Sequence, residues 1–327
     1  MKAKVVLIIP YFGTFPNYFE YWLKSAEKNS AFDFLIFTDN VKYESVNNIK
    51  YVYCTFEEFK AKLQSCVEFK IVLDRPYKIC DYRPLYGTAL QDYIREYDFW
   101  GFCDVDLIFG NIGKYVTDDI LSKYDKIYEL GHFTLLRNNK QCNDLWKMKH
   151  HIHGAYRYDE AFRTPYSCHF DETDGLTPIS ESQNIRTYVS LDFADIDYRQ
   201  YNFSVLGAEY KAEKSLFVWE NGSLYHYYMI GDEIKRREYI YAHFQKRRME
   251  ISKDLKPKRE FCMVPNSFCE MGNVEQLLSQ VKVREEYPYY TLKRKKELKE
   301  KFRTHAIQQR LYRLLFRNVY RLLLDRM

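Results

Sequence analysis

The first 140 or so residues alternate short apolar runs with stretches of helical spacing, and this alternation limits the fold more than any other feature of the sequence. Val5–Ile9 is a β-branched run closed by the turn residues Pro10-Tyr11-Phe12-Gly13. From Asn17 to Lys28 the apolar positions Phe19, Trp22, Leu23 and Ala26 recur at i, i+3, i+4 and i+7, which predicts a helix. Phe34–Phe37 and Ile49–Tyr53 read as second and third strands, the segment from Phe56 to Phe69 returns to helical spacing, and Phe99–Cys103 is a fourth strand. Between the last two, Pro84 to Tyr97 predicts a helix opened by its proline. A β-α-β-α order of this kind implies the α/β class, with a single Rossmann-type, mostly parallel sheet flanked by helices. Further on, Phe217–Met229 reads as a hairpin turning at Asn221-Gly222, and Ile234 to Met249 as a charged helix.

Ligands of open parallel sheets gather beyond the carboxyl ends of the strands. The groups at those ends are Tyr11-Phe12-Gly13, Thr38-Asp39 and Asp104-Val105-Asp106. The last is the most informative, because a buried strand runs straight into two carboxylates. On an extended backbone, residues two apart point to one face, so Asp104 and Asp106 are expected to share one hard divalent cation, Mn²⁺ or Mg²⁺. A fixed cation stabilises the charge that develops on a departing diphosphate.

Composition excludes several classes. The eight cysteines form no C-x-x-C pair, which argues against a zinc ribbon or dithiol redox site and for a reducing compartment. The apolar run near the N-terminus is too short for a signal-peptide core, and no run is long enough to span a bilayer. Aromatic residues make up 18% of the chain, which suits stacking on sugars and bases and equally suits a biased composition.

The ordered set VVLIIPYFG, LIFTDN, YKICDYRPLYG, FWGFCDVDLIFGNI and YAHFQKR resembles the glycosyltransferases of the GT-A fold, in particular bacterial enzymes that build capsular and other cell-surface polysaccharides. The resemblance covers about the first 250 residues and implies a catalytic domain over 1–250, with 140–215 as an acceptor-side insertion; beyond it the sequence reads as a connecting segment over 251–290 and basic amphipathic helices over 291–327. It implies that Tyr11, Phe12, Gly13 and Asp39 hold the nucleoside. Lys78, Asp81, Arg83 and Gly87 would line the donor phosphates and sugar, with Lys246 on the diphosphate. His243 would be the third metal ligand beside Asp104 and Asp106; the rival cluster His150, His151 and His153 lacks an acidic partner at ligand spacing. Asp171 and Glu172 would face the acceptor, as base in an inverting enzyme or as a binding group in a retaining one, and the His-type metal site leans to retention. The implied donor is a UDP-hexose, glucose or galactose, and the implied acceptor a glycan, lipid-linked in surface polysaccharide synthesis. Two alternatives stay open: a sugar-phosphate nucleotidyltransferase, although Pro10 to Pro16 lacks a Gly-rich basic loop, and a non-catalytic membrane-associated scaffold.

Charge is unevenly distributed. Residues 291–327 hold 12 Lys and Arg against three acids, a local +9, so residues 1–290 carry −4 of the total +5. Arg310, Arg313, Arg317 and Arg321 fall in one helical stripe, with Leu311, Leu315, Val319, Leu322 and Leu323 over much of the other side. Such a helix suits an anionic membrane surface, here the cytoplasmic inner face, better than nucleic acid, since no nucleic-acid-binding signature accompanies the charge. Packing on the chain's own domain or on a second subunit is the competing expectation.

Overall fold

The computed structural model describes residues 2–325 except 246, 253, 284–287, 304–306, 309–310 and 312–314. A seven-stranded sheet forms the centre. Its strands are β1 (Val5–Pro10), β2 (Phe32–Thr38), β3 (Ile49–Tyr53), β4 (Phe99–Cys103), β6 (Lys126–Ile127), β7 (Phe133–Arg137) and β8 (Thr187–Tyr188), in spatial order β3-β2-β1-β4-β7-β6-β8. The four strands nearest the N-terminus pair in parallel, as the alternation predicts. β7 then runs antiparallel to both β4 and β6, so the sheet is mostly rather than wholly parallel.

β1 has an unbroken apolar run because both of its faces are covered. Val6 and Ile8 enter one core cluster with Leu35, Phe37 and Trp100, while Val5, Leu7 and Ile9 enter the other with Phe34 and Ile36. Helix α1 (Phe19–Glu27) packs Phe19, Trp22 and Ala26 into the second cluster. The helix Phe56–Gln64 packs Phe59 and Leu63 into the first, and its start is fixed by a capping box between Thr55 and Glu58. Gly101 in β4 is required by proximity: a Cβ there would lie 2.1 Å from the Thr134 carbonyl of β7.

Two smaller sheets follow. An antiparallel five-stranded sheet has the order β12-β11-β10-β14-β15, built from β10 (Ser215–Glu220), β11 (Ser223–Ile230), β12 (Glu233–Tyr239), β14 (Glu260–Val264) and β15 (Ser267–Cys269). The β10–β11 hairpin turns at Asn221 and Gly222, with φ of 47° and 101°, as the Asn-Gly pair predicts. A three-stranded sheet joins β5 (Leu107–Phe109), β13 (Tyr241–His243) and β9 (Ala194–Asp195).

Three local expectations need correction. The charged segment 234–249 forms β12 and β13 instead of a helix. Its charges sit on an exposed edge strand, where they discourage pairing with another chain. The helix expected from Pro84 is broken up: Pro84 lies inside a 3-10 helix, Pro76–Leu85, followed by the short helices Tyr86–Ala89 and Gln91–Ile94. The third concerns the C-terminal helix Arg317–Leu324. Arg321 is 3% exposed, and with Arg317 it pairs with Glu160 of the body, so these two arginines point inward. Arg310 and Arg313 lie outside the described residues.

Candidate metal centre and cavity

A cavity of about 700 Å³ opens beyond the carboxyl ends of β1 and β4. Tyr11 and Phe12 follow β1 into its wall, and Asp104 to Asp106 follow β4. β7 runs the opposite way from β4, so its start also lies at this edge and brings Gly131 and His132 into the lining.

Asp104 and Asp106 converge, though not on an extended backbone as the spacing predicts. They occupy the bend between β4 and β5. The backbone pins that bend from several sides: Asp104 N–H donates to the His132 carbonyl (3.1 Å), Trp22 Nε1 donates to the Asp104 carbonyl (3.1 Å), and Phe244 N–H donates to the Asp106 carbonyl (2.9 Å). His243 is expected on a helix but ends strand β13, where it pairs with Leu107, the residue after Asp106, and on its other side with Asp195 of β9. The three-stranded sheet therefore brings together residues that are far apart in sequence. Ligand atoms of Asp104, Asp106 and His243 lie within 4.8 Å of one another. His243 Nε2 is 3.5 Å from Asp106 Oδ1 and 3.9 Å from Asp104 Oδ2.

Two carboxylates and one imidazole suit a divalent cation, and the nitrogen ligand suits Mn²⁺ better than Mg²⁺. His243 Nδ1 lies 2.8 Å from Asp195 Oδ1, which turns Nε2 towards the two aspartates. A carboxylate behind a ligating histidine is a common way to fix its ring. Burial alone would lower the His243 imidazole, but Asp106 and Asp195 outweigh it and hold it up at about 10 in the metal-free protein. The His132 ring lies 4.5 Å from that of His243; burial, with help from His243, lowers it to about 4.

Arg83 joins this group to the acceptor side. One guanidinium nitrogen pairs with Asp104 Oδ1; the other donates to Asp171 Oδ2 (3.0 Å) and to the Gly131 carbonyl (2.6 Å). Asp104 is thus partly neutralised, while its other oxygen faces His243. Burial raises the Asp171 carboxyl to about 7 against the opposing pull of Arg83. Burial alone would raise Glu172 too, but His169 and the Gly131 N–H, at 2.8 and 3.0 Å, outweigh it and bring it down to about 2. Both acids line the cavity instead of standing in a solvated loop.

The other expected residues fall differently. Tyr11 is half-buried in the cavity wall, stacked on Phe15 at 4.6 Å. Phe12 touches the cavity but packs mainly on Phe56 and Phe59 in the core. Gly13 and Asp39 lie outside the lining and bond each other, Gly13 N–H to Asp39 Oδ1 at 2.8 Å, so Asp39 pins the loop after β1. Lys78 and Asp81 do not reach the cavity. They are 1% and 0% exposed and form a buried ion pair in which Lys78 also donates to Ala161, Thr164 and Tyr166. Asp81 accepts from the backbone N–H groups of Cys168 and Phe170. Gly87 is a packing glycine, since a Cβ would come within 2.6 Å of Trp100 and Asn143. Lys246 lies outside the described residues. Residues the motif reading does not find are His132, Asp195, Tyr18, Arg247 and Arg248. Arg247 donates to the carbonyls of Asp197, Gln200 and Tyr201 and so ties that loop to the cavity rim.

No curated protein matches the chain. Among solved structures, the chain is similar to the galactosyltransferase LgtC, solved in complex with donor and acceptor sugar analogs, at 14% identity and a TM-score of 0.27. That match covers 42% of this chain and 59% of LgtC, less than two thirds of the enzyme's length. A family described as being of unknown function, DUF6625, matches residues 7–272, a stretch that takes in the three sheets apart from the first two residues of β1 and includes every residue of the cavity wall, and the chain belongs to that family.

Proposed function

We propose that this protein is a metal-dependent glycosyltransferase that takes a hexose from a nucleoside-diphosphate donor. The observation that carries the reading is the convergence of Asp104, Asp106 and His243 at the mouth of β4, beside a cavity large enough for a sugar nucleotide. A divalent cation on these three residues would offset the charge of the departing diphosphate. The chain's own groups supply the rest. Tyr11 offers a ring face at the end of β1, where a nucleobase would lie, and Arg248 adds positive charge at the rim. Arg83 holds Asp104 and Asp171 in fixed relation, so that a donor sugar on the metal side would meet a carboxyl group on the other. Asp171 is the candidate base for an acceptor hydroxyl if the reaction inverts, or its binding group if the reaction retains configuration. UDP-glucose or UDP-galactose is the expected donor and a lipid-linked glycan the expected acceptor, within surface polysaccharide synthesis.

The test is thermal shift and donor turnover with a panel of nucleotide sugars, each with and without Mn²⁺. A true donor at about 100 times its Kd stabilises the fold by about 2.7 kcal/mol, and the shift should need metal. Asp106→Asn should lose turnover on the order of 100-fold, and without metal it should melt below the parent because the buried His243 imidazole loses a counter-charge. If no nucleotide sugar shifts or turns over, the reading fails. Turnover of a nucleoside triphosphate with a sugar phosphate would instead indicate nucleotidyl transfer.

A further inference from the structure

The C-terminal segment is basic and amphipathic, but its docking reverses the polarity read from the sequence. Arg317 and Arg321 lie against the body. Arg321 donates to the Ala155 carbonyl (2.7 Å) and to Glu160 Oε2 (2.9 Å), and Arg317 donates to Glu160 Oε1 (3.2 Å) with its guanidinium 4.5 Å over the Tyr156 ring. Asp325 continues the same face and accepts from Arg157 at 2.8 Å. These contacts tie the helix down through its charged side chains, and apolar residues are left facing outward. At 100° per residue Val319 and Leu322 lie roughly opposite Arg317 and Arg321. Both are 57% exposed, and Leu315, just before the helix, is 78% exposed.

The helix Pro288–Arg303 adds the same two ingredients. Leu292 and Phe302 are 67% and 60% exposed, and Arg294, Lys295, Lys296 and Lys299 are exposed as well. No helix among the described residues is long and apolar enough to cross a membrane. Two observations decide what covers these side chains. The segment is strongly cationic, at +9 over residues 291–327, so a second copy would bring like charge against like. An anionic bilayer offers apolar depth for the leucines and opposite charge for the lysines together.

We propose that the face carrying Leu315, Val319 and Leu322 inserts into the headgroup region of an anionic membrane, while Arg317 and Arg321 clamp the helix to the body. The arginines are the attachment to the protein and the leucines the attachment to lipid. This goes beyond the proposed catalysis and does not depend on it, because lipid binding is measured with neither donor nor metal present.

The experiment is flotation of the full chain with phosphatidylglycerol-containing vesicles and with purely zwitterionic ones. The parent should float with the anionic vesicles only. Leu315→Glu, Val319→Glu and Leu322→Glu together should lower its partitioning at least about tenfold, with melting temperature unchanged because these side chains are solvent-exposed. Arg317→Gln with Arg321→Gln should keep most of the flotation. Undiminished flotation of the triple Glu variant overturns the proposal. So does loss of flotation in the double Gln variant alone, which would put the arginines on the lipid. A parent that fails to float and instead self-associates, with the triple variant monomeric by light scattering, would assign the face to a second copy and also overturn it.

Discussion

Lys78 and Asp81 separate a structural role from a ligand-binding one. In Lys78→Met the methionine nearly keeps the volume of the lysine stem but removes the ammonium that touches Asp81, the Ala161 and Tyr166 carbonyls and Thr164 Oγ1. Asp81 would then stay fully buried with only the N–H groups of Cys168 and Phe170 as partners. Removing one member of a buried ion pair costs about 3–5 kcal/mol, since the remaining charge is left uncompensated. The Ala161 and Tyr166 carbonyls keep Thr164 as a donor, so the stranded carboxylate of Asp81 accounts for the cost. With an unfolding entropy of about 2.1 cal/mol/K per residue, a domain of roughly 270 residues loses about 1.8 °C per kcal/mol, so the melting temperature should fall by about 5–9 °C. Differential scanning calorimetry on the metal-free protein gives that number directly. The loop that carries Asp171 hangs on Asp81 through residues 168 and 170, so turnover should fall together with stability. An unchanged melting temperature with a raised KM for the donor would refute this reasoning and return Lys78 to the phosphates.

Two other perturbations bear on the site and on the fold. Asp195→Asn leaves His243 without its charged partner on Nδ1; Mn²⁺ affinity measured by calorimetric titration should fall about 10- to 100-fold with the fold intact, and an unaltered affinity would remove Asp195 from the site. His226 is fully buried beside Phe217, and burial lowers its imidazole to about 3, below the ordinary value near 6.5 that it regains on unfolding. A depressed histidine stabilises the fold above the unfolded value and loses that contribution as pH falls through the interval from about 6.5 to about 3. His226→Phe should therefore flatten the decline in melting temperature between pH 7 and pH 5, measured in EDTA; equal slopes in the two proteins would reject this.

The sequence shows the central sheet clearly wherever both faces are buried. β1 and β4 are continuous apolar runs and β2 is one after Asp33, whereas β3, at the sheet edge, carries Lys50 and is only partly buried; β3 and β4 fall at the predicted residues. The pair Asp104 and Asp106 is equally legible, because two carboxylates at the end of a buried strand are costly unless a counter-charge meets them there. His243 is reached through a resemblance and not through periodicity, and the same segment defeats the periodicity argument. Lys235, Arg236, Arg237 and Glu238 read as a helix surface, yet they belong to an edge strand open to solvent. His132 and Asp195 leave almost no signal. His132 reaches the site only because β7 runs antiparallel to β4, and Asp195 only because a two-residue strand pairs with β13. Long-range pairings decide both, and local composition does not encode them. The basic stripe at residues 317 and 321 shows another limit of sequence reading: an amphipathic pattern defines two faces without saying which one meets the body.

Because His243 stands on a short strand held on both sides, its direction depends on strand register. Deleting or adding a single residue between Tyr239 and His243 would invert the side-chain alternation, turning the imidazole away from Asp106 and putting a neighbour in its place. Among homologues, therefore, gaps should collect in the turns around this segment and be absent within it, even where the identities of the surrounding residues drift.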